Sequence, residues 1–233
     1  MYYKINTPNY NYSKIKLFIK YFINFIFRSK FFRINYFYYL PKYKFYRNLN
    51  SLKLHKNSTI LDFGANIGSV ALYLSDIFDS KIYCYEPNPE CFNYLKKLFK
   101  NKKKVKIYNK GVSNKSQKLK LYLGEKNNNE ISFFDGASYD KEKSNVSNAN
   151  YLTTNAENID KILSKHKSID LLKIDIEGWE YKIIHSIIRN LYKIKVVYVE
   201  LHDSSFKQKK LYFKTLQLLK NRKLLDTKIF LWI

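Results

Sequence analysis

The reactive side chains of this sequence share one habit of position. Asp62, Glu86, Asp175 and Glu200 each end or directly follow a short apolar run, and Glu177 and His202 lie two residues beyond the last two of these. A carboxylate where a buried strand emerges accepts hydrogen bonds from hydroxyls or pairs with a cation. An imidazole that is neutral near pH 7 can take a proton from an alcohol, which assigns His202 as a candidate base. Glu200 and His202, two apart on a strand, project to the same side. Asp175, Glu177, Glu200 and His202 also form an oxygen-rich set for a divalent ion, but no local ligand motif accompanies them and no metal is assigned. Glu180 falls in the first turn of the next helix, where a carboxylate complements the dipole. Helix capping is the competing role for Asp175 and Glu177.

Two of the six glycines fall in ILDFGANIGS, residues 60–69. The stretch reads as a strand, a tight turn and the start of a helix, with Gly64 and Gly68 permitting positive φ or a close backbone approach. The helix start leaves backbone N–H groups for a polar ligand. Glu86, in YCYEPNP, lies at the end of the next strand, where a carboxylate accepts both hydroxyls of a ribose. An ordinary turn capped by Pro87, Asn88 and Pro89 is the alternative. Neither G-x-G-x-x-G nor G-x-x-x-x-G-K-S/T is present. An acid at Asp62 would repel a pyrophosphate and suit an ammonium group, a combination that selects S-adenosylmethionine, which carries a ribose and no phosphate.

The elements that hold these residues follow from periodicity. Apolar bursts at 58–63, 81–86, 105–109, 171–175 and 196–201 alternate with helical patterns at 67–78, 89–101, 157–166, 179–192 and 206–221. This is the signature of a doubly wound, mostly parallel sheet covered on both faces. KLKLYL at 118–123 suits an extra, half-exposed strand, and the polar, aperiodic stretch 124–150 reads as a long loop, either a cover for the site or solvated filler. The chain of 233 residues divides into a basic aromatic extension, 1–56, and one domain, 57–233.

Charge is uneven. The formal net charge is +24, and residues 1–61 hold twelve Lys or Arg and no acid. KLFIKYFINFIFRSKFFR in the extension reads as a helix packed on the domain, as a membrane-surface helix contacting anionic lipid through residues 14–40, or as a nucleic-acid-binding segment. Its apolar run is too short to span a bilayer. Cys84 and Cys91 have no metal or redox spacing, which fits a reduced, cytoplasmic setting.

The blocks DFGANIG at 62–68, YEPNP at 85–89, IDKIL at 159–163, DLLKIDIEGWE at 170–180 and VELH at 199–202 together resemble the FkbM family of S-adenosylmethionine-dependent methyltransferases. The resemblance implies a class I, Rossmann-like methyltransferase fold, S-adenosyl-L-methionine as cofactor, and O-methylation of a saccharide or related hydroxyl on a glycan such as a lipopolysaccharide or capsule. It places Asp62, Gly64, Asn66, Gly68 and Glu86 at the cofactor, and Ser113 or Asn114, in the GVSN loop after the third strand, near the adenine, though no acid stands there. It gives Asp175 the catalytic position, with Glu177 and His202 beside it. It also implies a terminal antiparallel strand pair, whereas LLDTKIFLWI leaves room for one strand or a cramped hairpin. The basic N-terminus prompts an RNA or DNA methyltransferase as the alternative enzyme, against which the N-P-P-Y type motif of exocyclic-amine methylation does not stand at the end of the fourth strand; a binding protein retaining the fold is the non-catalytic alternative. The sequence assigns no oligomeric state.

Overall fold

The computed structural model describes residues 52–124, 136–144, 146–202, 206–220 and 228–232. The expected N-terminal extension lies outside the described residues except for 52–56, and so does the stretch 14–40. The strands are β1 (Thr59–Phe63), β2 (Lys81–Tyr85), β3 (Val105–Tyr108), β4 (Gly111–Ser113), β5 (Gln117–Tyr122), β6 (Tyr151–Asn158), β7 (Leu171–Ile174), β8 (Val196–Glu200) and β9 (Lys228–Trp232). The helices are α1 (Ser69–Phe78), α2 (Pro89–Leu98), α3 (Ile159–Ser164), α4 (Glu180–Arg189) and α5 (Phe206–Lys220).

β3-β2-β1-β7-β8-β9 form one six-stranded sheet in which every pairing is parallel. Each of the five expected strands forms, with ends shifted by a single residue. Their apolar runs are buried, β7 along its whole length, as a sheet covered on both faces requires. On one face Leu61, Phe63, Leu172, Ile174, Val197 and Val199 share a core with Ile159, Ile162 and Leu163 of α3 and with Ile183, Ile184, Ile187 and Ile188 of α4. Each fully buried aliphatic side chain there contributes about 1.5–3 kcal/mol. Helix starts are built as the sequence indicates: Asn88 accepts from the Glu90 N–H at 2.9 Å with Pro89 in the first turn, and Asn158 accepts from the Lys161 N–H at 3.1 Å.

The parallel register decides what converges. Phe63 pairs with Tyr85 on one side and Ile174 on the other, and Ile174 pairs with Val199. Gly64, Glu86, Asp175 and Glu200 therefore occupy one row at the strands' carboxyl ends, Glu200 as the last residue of β8 and the others one residue past theirs. Asp62 and Lys173, paired in register two residues below, share their face.

Two features differ from the sequence reading. Residues 111–113 and 151–158 are strands of a second sheet, β4-β6-β5, with β4 parallel and β5 antiparallel to β6. In β6 only Thr154 and Ala156 are buried, so the polar TTNAEN stretch hides a half-exposed strand behind a loop-like composition. Among the described residues the main sheet ends on β9, parallel to β8: one strand, for which the C-terminal stretch leaves room, and not the antiparallel pair that the resemblance implied. Among the described residues no helix is long and apolar enough to cross a membrane.

Candidate active site

The glycine turn is shaped by the protein's own backbone. At Gly64, φ is +76°, and a Cβ would stand 1.7 Å from the Asp175 carbonyl oxygen. Only glycine lets β1 leave the sheet this close to the end of β7. Asn66 also has positive φ, and its N–H donates to Glu86 Oε2 at 2.8 Å. Glu86 Oε1 accepts from the Asn88 N–H at 2.8 Å. Gly68, with φ +85°, caps α1 with no side-chain cap bond.

Asp62 departs from its expected role. Its side chain is fully buried and lies 3.2 Å from Lys173 Nζ, so its charge faces an internal ammonium rather than a ligand's. Lys173 donates to the Gly64 carbonyl at 2.7 Å and stands 3.6 Å from Asp175 Oδ2. Burial alone would lower the lysine pKa, but the charges of Asp62 and Asp175 overcome it and hold it above the usual value. The sequence signal was a lone charge in the apolar run LLKI, two residues before Asp175 and on its face.

His202 lies at the centre of the carboxylates. Its Nε2 is 3.0 Å from Glu177 Oε2, 3.9 Å from Asp175 Oδ1 and 4.0 Å from Glu200 Oε1, while Nδ1 is 3.0 Å from Glu180 Oε1. Burial would lower the imidazole pKa, yet the hydrogen bonds its N–H groups donate to Glu177 and Glu180 outweigh it and raise it well above the ordinary histidine value. The neutral-imidazole base expected at His202 is thereby corrected: with a carboxylate on each nitrogen, the ring is an imidazolium at neutral pH. Burial likewise opposes ionisation of Glu177, but His202 and Lys143 prevail and hold that carboxyl below the usual range.

Glu180 does more than complement a dipole. It is completely buried and accepts from the N–H groups of Ile176 and Gly178 as well as facing His202. It therefore shapes the turn that carries Glu177, whose φ is +58°. Gly136, Ser138, Tyr139 and Lys143 of the 124–150 stretch are buried, while Lys141, Glu142, Ser144, Asn148 and Ala149 are exposed. Buried Lys143 donates to Glu177, the Ser138 hydroxyl donates to the Glu177 carbonyl at 2.5 Å, and Gln208 of α5 donates to Asp140 at 2.9 Å. Nothing in the polar composition of 124–150 marked Lys143. Ser113 lies in strand β4, not in a loop, and is fully buried. Its hydroxyl oxygen accepts from Trp179 Nε1 at 3.1 Å.

The arrangement is thus a strand-edge row with a glycine turn and a buried acid on one side and a carboxylate-ringed histidine on the other. A family model described as Methyltransferase FkbM domain matches residues 62–224, about seven-tenths of the chain. The chain belongs to the FkbM methyltransferase family. It is a methyltransferase dependent on S-adenosylmethionine, with a Rossmann-like α/β fold. No curated protein matches it. Similar solved structures include one named as a candidate rRNA-methylase from Clostridium thermocellum, at 7% identity and TM-score 0.45, covering 75% of this chain and 77% of that one. They also include yeast methylglyoxal/isovaleraldehyde reductase Gre2 with NADPH, at 16% identity and TM-score 0.41 over 74% and 53%, and Gre2 from Candida albicans, at 10% and 0.43 over 75% and 56%. Likenesses at these scores decide nothing about chemistry.

The residues present in this FkbM methyltransferase fit the cofactor at the Glu86 side of the row. Each Glu86 oxygen holds one backbone N–H and keeps a lone pair for a ribose hydroxyl. Burial pushes the Glu86 pKa up to about 7, against the lowering effect of those N–H bonds. The folded, unliganded chain therefore binds this proton more tightly than the unfolded chain does. That contribution to stability is fully present below the ordinary glutamate value of 4.5 and is lost as pH rises through about 7. Hydroxyl donors and a cationic ligand favour the carboxylate, so cofactor affinity is expected to fall about tenfold between pH 8 and pH 6, with proton release on binding. Titration calorimetry in buffers of different ionisation enthalpy measures both, and a flat profile would remove Glu86 from the ribose site.

Proposed function

We propose that this methyltransferase transfers the methyl group to a hydroxyl of a saccharide or glycan, such as a lipopolysaccharide, a capsule or a related glycoconjugate. What supports this reading is the acceptor-only chemistry around His202. Asp175, Glu177 and Glu200 converge there in a chain of net charge +24. Carboxylates accept hydrogen bonds from the hydroxyls of a polyol and repel a phosphate backbone, which disfavours a nucleic-acid acceptor at this place.

S-adenosylmethionine, when bound, supplies an activated methyl on a sulfonium. The chain's residues must bring an acceptor oxygen into line with it and accommodate the hydroxyl proton. Asp175 is placed to accept that proton: its Oδ1 has no hydrogen-bond partner among the described residues, while Lys173 flanks Oδ2. His202, as an imidazolium between Glu177 and Glu180, anchors the carboxylates and adds positive charge beside the acceptor.

Comparison of glycans extracted from cells with the active protein and with an inactive variant tests the reading. One added methyl group on a sugar is expected, and its absence in every glycan fraction, alongside methylation of RNA or DNA, would overturn it.

The basic aromatic stretch 14–40 is read as a peripheral contact with anionic membrane at the cytoplasmic face, which would place the enzyme beside a lipid-linked acceptor. Removing residues 1–40 is expected to abolish co-sedimentation with anionic vesicles and leave cofactor affinity unchanged. Undiminished sedimentation of the shortened protein would refute the contact.

A further inference from the structure

We infer that Asp175, Glu200 and His202 form a divalent-cation site at the carboxyl ends of β7 and β8. One ligand atom from each side chain lies within 4.8 Å of the others, the spacing of groups that can close on a single ion. The inference rests on the acceptor-hydroxyl reading above: with an ion on Asp175 Oδ1, that atom would serve as a ligand, and the ion would acidify the hydroxyl in place of direct proton acceptance there.

Three independent features point to a cation. The first is the orphaned Asp175 Oδ1, an acceptor atom hidden from solvent that faces His202 Nε2 at 3.9 Å with no donor among the described residues. A buried carboxylate oxygen without a partner is costly unless something positive completes it. The second is the far side of the histidine. Glu180, fully buried and fixed by the Ile176 and Gly178 N–H groups, holds Nδ1 at 3.0 Å. A carboxylate on one ring nitrogen fixes the tautomer and aims the other at a metal, and Nε2 is the nitrogen directed at Asp175 and Glu200.

The third is charge. Asp175, Glu177, Glu180 and Glu200 face His202, with Lys143 on Glu177 and with Lys173 shared between Asp62 and Asp175. The acids gathered on one histidine give the place a negative local potential that favours a cation. The ion would take the place of the Nε2 proton now lying between His202 and Glu177, that proton leaving to solvent.

Two carboxylates and one imidazole suit an ion of borderline character, Mn2+, Fe2+ or Zn2+, ahead of Ca2+. Three protein ligands leave coordination positions open, which is the pattern of sites that bind and acidify a substrate oxygen. Neighbouring hydroxyls of a sugar could fill two of them.

The test uses full-length protein stripped with chelator and titrated with Mn2+. The electron paramagnetic resonance signal of free Mn2+ gives the affinity, and broadening of the His202 ring resonances in NMR gives the location. Saturable binding of about one ion per chain is expected, weakened at least about tenfold by Asp175→Asn and by Glu200→Gln. No saturable binding, or binding unaltered by both substitutions with His202 unbroadened, would overturn the site. The wild-type NMR readout stands even if a variant fails to fold. S-adenosylmethionine affinity measured on the stripped protein separates the two ideas: cofactor binding without ion binding defeats the site and leaves the methyltransferase intact. Ion binding without any methylated glycan defeats the acceptor reading alone.

Discussion

Replacing Lys173 with methionine is expected to destabilise the fold by about 3–5 kcal/mol, the cost of stranding a buried charge whose partner is removed. In a domain of this size that corresponds to a fall in melting temperature of roughly 6–20 °C. The reason is local. Asp62 is fully buried with Lys173 Nζ at 3.2 Å, and the same ammonium donates to the Gly64 carbonyl and flanks Asp175. Without it the buried Asp62 carboxylate loses the ammonium that compensates its charge at 3.2 Å. Adding Asp62→Asn to Lys173→Met should recover part of the loss, because the uncompensated charge is then absent. Thermal and denaturant unfolding of the two variants against wild type measure this. A loss below about 1 kcal/mol for the single variant would show that the pair contributes no more than an exposed one does.

Asp175→Asn is expected to lower turnover by at least about a hundredfold, the range for removal of a positioned proton acceptor. Cofactor affinity should stay close to wild type. The change is nearly isosteric, leaves the Asp175 backbone N–H on the Phe63 carbonyl at 3.1 Å, and spares the Asp62–Lys173 pair. Turnover and cofactor affinity must therefore separate. Matching losses in both would mean that the residue serves the fold or the cofactor and not the acceptor. A turnover within about threefold of wild type would remove its catalytic role altogether.

The sheet was legible because parallel strands buried on both faces must be written as apolar bursts, and helices between them as amphipathic stretches. TILDF, KIYCY, VKIY, LLKI and VVYVE each gave their strand within one residue. The second sheet was not legible. β6 buries only alternate small residues, and a Thr, Asn and Ala pattern of that kind is written like a loop. β4 is three residues long, too short for any period to register.

For the site, residue types and order along the chain determined the family, the cofactor and the membership of the strand-end row: Glu86, Asp175, Glu200 and the Gly64 turn. Local spacing suffices for that, because each residue's place follows from the end of its own strand. The charge states and partners were decided only by the tertiary structure. His202 read as a neutral base from its type, and became an imidazolium because Glu177 and Glu180, from a different strand end, reach its two nitrogens. Asp62 read as a ligand for an ammonium, and found one inside the protein, since β1 and β7 are adjacent in space though more than a hundred residues apart in sequence. Lys143 arrived from a stretch whose composition carried no signal. Electrostatics depends on distances between segments that the linear order does not encode, which is why the sequence named the acids and the fold assigned their work.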